Sequence, residues 1–288
     1  MLPLNRPLVS PEQLAARLGE PGLVVIDCRH QLLAPEAGRR SYLEGHIPGA
    51  RHAHMDEDLA KLPSATEGRH PLPSPAAFVE TLRGLGLSNR SWVVAYDDGN
   101  AAMASRLWWM LRWLGHEQVS VLDGGLKAWR SANLPVEEGV HPSERGGFAL
   151  GSVHTDWVVE AAQLQRLLRE DRVVLIDARA PDRFHGREEP IDAVAGHIPG
   201  AINLPYERLL SEEEKFLSPQ LLRQRFEEVA VVGQLPVEIV AMCGSGVTAC
   251  HLLLGMDAAG LGMARLYAGS WSEWIRDRTR PVATDLVN

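Results

Sequence analysis

The chain has 288 residues, of which 45% are hydrophobic and 23% charged, with a formal net charge of −8 at pH 7. That length accommodates one large or two ordinary domains with a substantial core. The acidic balance, without a long Lys/Arg cluster, argues against a nucleic-acid partner. No apolar run is long enough to span a membrane, and residues 1–20 lack the charged start and apolar core of a secretory signal.

The expected elements of the first half are a helix over 11–19, a strand over 23–27, a loop carrying Gly45 to Ala50, a helix over 75–86, a strand over 92–96, a helix over 101–114, a strand over 119–122 and a helix over 125–131. The segment from Tyr42 to Ala50 is expected to hold a short turn and a small strand. In the helix over 101–114, Leu107, Trp108, Leu111 and Leu114 make a packing stripe that Trp109 and Trp113 widen. Residues 134–156, with two prolines and four glycines, read as an ordered connector. The second half repeats the order: a helix over 158–169, then elements over 173–177, 219–230, 237–242, 247–257, 264–267 and 271–276, ending in a tail from Pro281. Val- and Ile-rich strands alternating with helices indicate α/β units with mostly parallel sheets flanked by helices.

The halves share more than their element order. Leu23-Val24-Val25-Ile26-Asp27-Cys28-Arg29 precedes Gly45-His46-Ile47-Pro48-Gly49-Ala50, and Val173-Val174-Leu175-Ile176-Asp177-Ala178-Arg179 precedes Gly196-His197-Ile198-Pro199-Gly200-Ala201. The Asp-to-His intervals are 19 and 20 residues. Two linked motifs at matched spacing indicate two homologous domains, 1–133 and 157–288, joined by the connector.

In the second copy, Val237 to Met242 ends at Cys243-Gly244-Ser245-Gly246-Val247-Thr248-Ala249-Cys250, followed by a helix. A thiol at this strand–helix junction meets unpaired peptide N–H groups and the helix dipole, which favour the thiolate. Gly244 and Gly246 permit a tight loop, while Ser245 and Thr248 offer hydroxyls. Cys243 therefore reads as a nucleophile in an anion cradle, with a buried structural cysteine as the alternative. Ala249 stands where a Cys-x5-Arg phosphatase loop requires its arginine, which argues against phosphatase chemistry. The first copy has Asp97 in place of the cysteine and so lacks the sulfur centre. Cys28 and Cys250 read as packed thiols; the three cysteines suggest neither disulfides nor a zinc site, and fit a reducing cytoplasm. No metal, nucleotide or flavin motif is present, so no cofactor is expected.

Together the paired Asp-x-Arg and Gly-His-Ile-Pro-Gly-Ala motifs, the Asp97/Cys243 exchange and the Cys-Gly-Ser-Gly-Val-Thr-Ala loop resemble the tandem rhodanese-domain sulfurtransferases over about residues 8–280. The Gly-Ser-Gly turn is similar to the 3-mercaptopyruvate branch. The resemblance implies that Cys243 attacks the donor sulfur, becomes a persulfide, and passes the outer sulfur to cyanide or to a thiol such as thioredoxin or a small thiol. It implies that N–H groups from Gly244, Gly246, Val247 and Thr248 hold the sulfur, that Ser245, His70 and Asp56 form a proton relay, and that Arg183 holds the donor's carboxylate. The chain departs from this pattern in one place: Ile191 follows Glu189-Pro190 where the branch carries a second arginine, and Arg187 is the candidate substitute. Thiosulfate as donor, or a persulfide carrier with little turnover, are the alternative readings.

Overall fold

The computed structural model describes residues 6–229 and 238–285. Residues 1–5, the last residue of the helix expected over 219–230, the first of the strand expected over 237–242, and the last three of the tail lie outside the described residues. Contacts divide the chain into two units. One contains Met1–Lys61, Leu72–His154 and Ser211–Phe216; the other contains Leu62–Pro71, Thr155–Leu210 and Leu217–Asn288.

The first unit runs β1 (Leu8–Val9), α1 (Pro11–Ala15), β2 (Leu23–Asp27), α2 (Glu36–Glu44), β3 (Arg51–His52), α3 (Pro75–Gly84), β4 (Trp92–Tyr96), α4 (Ala104–Trp113), β5 (Val119–Leu122) and α5 (Gly125–Ser131). Its sheet has the order β1-β5-β4-β2-β3, and every pairing is parallel. β4 is buried at every position, as a central strand of a sheet covered on both faces must be. Helix α2 was not expected; its residues are mostly polar, which hides it, and it packs through Ala37, Gly38 and Tyr42 only. In α4 the indoles of Trp108, Trp109 and Trp113 are all buried, and the last two stack at 5.9 Å. Residues 134–154 have little regular structure but are pinned to this unit. Arg83 Nε donates to Phe148 O at 2.7 Å, Trp129 Nε1 to Pro135 O at 2.7 Å, and His154 N–H to Trp113 O at 2.9 Å.

The second unit runs α6 (Ala161–Arg169), β6 (Val173–Asp177), α7 (Pro181–Phe184), β7 (Ile202–Asn203), α8 (Pro219–Val229), β8 (Glu238–Met242), α9 (Ala249–Ala258), β9 (Arg265–Leu266) and α10 (Ser270–Trp274). Its order is β7-β6-β8-β9, again parallel. The helix expected from residue 158 starts at Ala161 because Val158 bridges to Leu266 and Val159 N–H bonds to Leu266 O. That bridge stands where the first unit has β1.

The repeated motifs hold the same turn in both units. Arg29 is forked onto Asp27 and donates through Nη2 to Gly45 O at 2.8 Å; Arg179 does the same with Asp177 and Gly196 O, also at 2.8 Å. Each histidine of the Gly-His-Ile-Pro-Gly turn stacks on an aromatic ring, His46 on Tyr42 and His197 on Phe184. The Asp-x-Arg pairs are thus braces, buried and doubly bonded as a buried ion pair requires.

After β4, the Asp97 carboxylate accepts N–H bonds from Gly99, Ala101, Met103 and Ala104 at 2.9–3.1 Å. Helix α4 therefore begins three residues later than expected, its leading N–H groups already taken. Burial pushes this carboxyl above its usual range, although the four peptide donors pull the other way. Asp97→Ala would leave several buried donors unpaired, at about 1–3 kcal/mol each. Urea denaturation should register a loss of at least about 2 kcal/mol; an unchanged midpoint would contradict the role of the carboxylate as the loop's internal anion.

Candidate active site

The equivalent loop of the second unit follows β8. Cys243 is buried, and Gly246 N–H points at its Sγ from 3.1 Å. Gly246 has φ +80°, and an added Cβ would lie 2.3 Å from Ala268 O, so no other residue fits this turn without displacing backbone. Helix α9 begins at Ala249, two residues later than expected, with Thr248 as its N-cap in helical conformation and no side-chain cap bond. Val247 is buried, and its carbonyl accepts from Cys250 N–H. The Cys250 thiol is fully buried and donates to Gly246 O at 3.4 Å, so it braces the loop from behind. Burial, followed by the charge of Asp27, pushes the Cys28 thiol well up, which leaves it inert.

The loop is suspended from the segment that opens α10. Trp271 N–H donates to Cys243 O at 3.0 Å and Ser272 N–H to Gly244 O at 2.9 Å. Cys243 N–H in turn donates to Ser270 Oγ at 3.1 Å, and that hydroxyl donates to Tyr267 O. Ser270 has φ +52°, a left-handed conformation that is costly for a residue with a Cβ. The first unit puts Gly125 at φ +52° in the corresponding place. The resemblance brings the Gly269–Trp274 segment near the loop but gives Ser270 no role; the signal for that role is a serine aligned with a glycine of the other copy.

The stretch Leu62–Pro71 is anchored to the same segment. A Cβ on Gly68 would lie 2.5 Å from Gly269 O, so the two backbones touch there, and Arg69 N–H donates to Ser272 Oγ at 3.0 Å. This contact carries His70 to the loop: His70 Nδ1 and Ser245 Oγ are 2.7 Å apart, and both residues are buried. Asp56 belongs to the first unit, where its carboxylate lies 4.0 Å from His30 Nε2 and its N–H meets His54 Nδ1 at 3.3 Å.

Arg183 is mostly buried. Its Nε is shared between the Glu189 oxygens at 3.0 and 3.1 Å, and its Nη2 reaches Asp192 at 2.9 Å. Glu189 also accepts N–H bonds from Ile191 and Asp192, folding the 189–192 turn around its carboxylate. Burial alone would raise this acid, but Arg183 and the turn's N–H groups outweigh it and hold it below the usual range. Arg187 turns elsewhere. It is half-exposed and paired with Asp182 at 2.6 Å, a solvated contact with no hold on the loop. The second guanidinium beside the loop is that of Arg69, which sequence reasoning passed over. Arg69 Nη1 bonds Asp192, and a Cβ added at Gly244 would lie 2.9 Å from Arg69 Nη2 and 3.5 Å from Arg183 Nη1.

Comparison with known proteins agrees with this geometry. The rhodanese-like domain model matches residues 10–132 and again 160–277. A probable 3-mercaptopyruvate sulfurtransferase of Pseudomonas aeruginosa is 49% identical over 280 residues, covering 96% of this chain and 98% of the relative. A putative thiosulfate sulfurtransferase, SseB, of Mycobacterium tuberculosis is 39% identical over 281 residues, with 96% of each chain covered. Among solved structures, SseA from Escherichia coli, described as a 3-mercaptopyruvate sulfotransferase, superimposes with a TM-score of 0.81 at 34% identity, covering 93% of this chain and all of that one. The chain belongs to the rhodanese family, with two tandem rhodanese-like domains. It is a sulfurtransferase, an enzyme that moves sulfur from a small donor through a cysteine persulfide, and its near relatives form the mercaptopyruvate and thiosulfate branches. No helix among the described residues is long and apolar enough to cross a membrane.

Because Ser270 Oγ is the acceptor for the Cys243 N–H, Ser270→Ala should cost about 1–3 kcal/mol and loosen the loop. Denaturation and sulfur-transfer assays on the same preparation should show both losses. Wild-type stability with wild-type turnover would contradict the assigned role.

Proposed function

We propose that this enzyme takes sulfur from 3-mercaptopyruvate, with Cys243 as the nucleophile. The observation that carries this reading is the 2.7 Å contact between His70 and Ser245, two residues after the cysteine. When a thiolate attacks the donor's thiol sulfur, the C–S bond breaks and its electron pair enters the carbon skeleton as an enolate. The sulfur keeps its hydrogen and becomes the outer atom of a Cys243 persulfide. The enolate oxygen gains charge in the transition state, and a hydroxyl backed by an imidazole can donate to it there. Protonation of the enolate carbon then yields pyruvate.

In the second half-reaction an acceptor thiolate, or cyanide, attacks the outer sulfur and Cys243 leaves as thiolate. Gly246 N–H stands ready for that anion, with Gly244, Val247 and Thr248 as further members of the cradle. A thiol acceptor such as thioredoxin or a small thiol, in a reducing cytoplasm, suits this step. Thiosulfate is the second reading. Releasing sulfite needs no enolate stabilisation, and a dianion would favour cationic side chains within the loop itself, where this chain has Gly-Ser-Gly-Val-Thr.

Cys243→Ser should abolish transfer from either donor while preserving the unfolding transition; retained turnover would refute the nucleophile. With both donors assayed against one acceptor, kcat/KM should favour 3-mercaptopyruvate, and a strong preference for thiosulfate would overturn the donor assignment. Ser245→Ala should slow pyruvate release by about 10²-fold or more, as loss of a polarising donor does, with a smaller effect on persulfide discharge. If only discharge slows, the relay serves the other half-reaction.

A further inference from the structure

The first unit lacks the cysteine, yet it gathers metal-ligating side chains at the edge where parallel α/β sheets bind ligands. His30 follows the end of β2. His54 and Asp56 follow the end of β3, which pairs with β2 through Asp27 and His52. Each of the three brings one ligand atom to within 4.8 Å of the other two. His30 Nε2 and Asp56 Oδ2 are 4.0 Å apart, and the two buried imidazoles meet edge to face at 5.5 Å. The turn is fixed by His54, whose N–H bonds the Asp58 carboxylate at 2.7 Å and whose carbonyl accepts from Asp58 N–H at 2.9 Å. Its ring is oriented too. Nε2 faces Pro35 O at 3.3 Å and must donate there, so Nδ1 carries the lone pair and meets Asp56 N–H at a long 3.3 Å. A backbone carbonyl behind one ring nitrogen is how proteins commonly present the other to a metal. Glu36, His54 and Glu57 lie equally close, but both of those acids are exposed and paired with Arg39. Strand register sets the first unit against the second: Asp27 pairs with His52 as Asp177 pairs with Asn203. Ala180, Pro205 and Glu207 therefore stand where the first unit has His30, His54 and Asp56, and the imidazoles belong to the copy without the thiol.

We propose that His30, His54 and Asp56 form a binding site for a divalent transition-metal ion of the zinc class, separate from the sulfur centre. Two imidazoles and a carboxylate suit such an ion, whereas magnesium and calcium take oxygen ligands. Zinc bonds of about 2.0–2.2 Å place tetrahedral ligand atoms about 3.3 Å apart. Closing the 4.0 Å gap to that spacing takes a small turn of the Asp56 side chain, which is 40% exposed and opens the site to solvent. The bound ion clips the loop after β2 to the loop after β3. No cysteine takes part and the ligands are spread from residue 30 to residue 56, so no short spacing motif announces them. The proposal does not depend on which sulfur donor the enzyme uses.

The test is calorimetric titration of the metal-stripped full chain with Zn²⁺, with Cys243→Ser beside the wild type to separate thiolate ligation from the imidazoles. Cys243→Ser should bind one Zn²⁺ per chain, at a site the wild-type chain shares. Co²⁺ bound to Cys243→Ser should give visible d–d bands without a thiolate charge-transfer band. In that background His54→Ala should weaken Zn²⁺ binding about a hundredfold or more, and Asp56→Asn about tenfold or more, since losing a ligand costs at least as much as losing one of its supports. Glu36→Gln and Glu57→Gln should bind as their parent does. His54 is buried, so thermal unfolding of the metal-free variants is compared first; if His54→Ala does not fold, Asp56→Asn at its half-exposed position decides. Absence of saturable binding would overturn the site. So would binding that is lost in Cys243→Ser, that survives both His54→Ala and Asp56→Asn unchanged, or that disappears with the two glutamates instead.

Discussion

The structure turns on the peptide bond between Ser245 and Gly246, whose N–H faces the Cys243 sulfur from 3.1 Å. A buried sulfur that must carry charge needs donors that cost nothing to reorient, and backbone N–H groups at a strand–helix junction meet that need. The turn that delivers this N–H exists because Gly246 adopts φ +80° against Ala268 O. It is also tied through Ser270, Trp271 and Ser272 to the start of α10. The parallel sheet supplies the place, since β8 ends where the loop begins, and the Asp177–Arg179 brace fixes the neighbouring turn.

The first unit builds the corresponding loop around an acid. Its loop wraps four N–H groups around Asp97, so a carboxylate occupies the position that the second unit gives to sulfur. The comparison separates the two properties of the site. In the proposed mechanism anion holding belongs to the backbone of this loop, whereas sulfur chemistry needs the one side chain, Cys243, that the first copy replaces by Asp97. Gly125 and Ser270 mark the same divergence, a left-handed position filled by the residue that suits it in one copy and by a strained serine, with a hydroxyl for Cys243 N–H, in the other.

Much of this was legible in the residues. The repeat, the parallel sheets and the loop after β8 followed from hydrophobic runs and two spaced motifs, because those signals are local. Helix starts were missed by two or three residues at α4, α6 and α9, where loop or bridge contacts claim the leading N–H groups, and such contacts are invisible to periodicity. α2 was missed because few of its residues face the core. Arg69 and Asp192 were missed for another reason. Their importance lies in a pairing across more than a hundred residues, whereas the search for a second arginine looked near Ile191 and settled on Arg187, which the structure turns toward Asp182.

The most direct test of the central claim is a mass measurement on the full-length protein after donor is added without acceptor. The account predicts one additional sulfur atom per chain, placed by fragmentation on Cys243 rather than on Cys28 or on Cys250 seven residues further on, and lost when a thiol is supplied. Product formation at the normal rate with Cys243 unmodified throughout would contradict it.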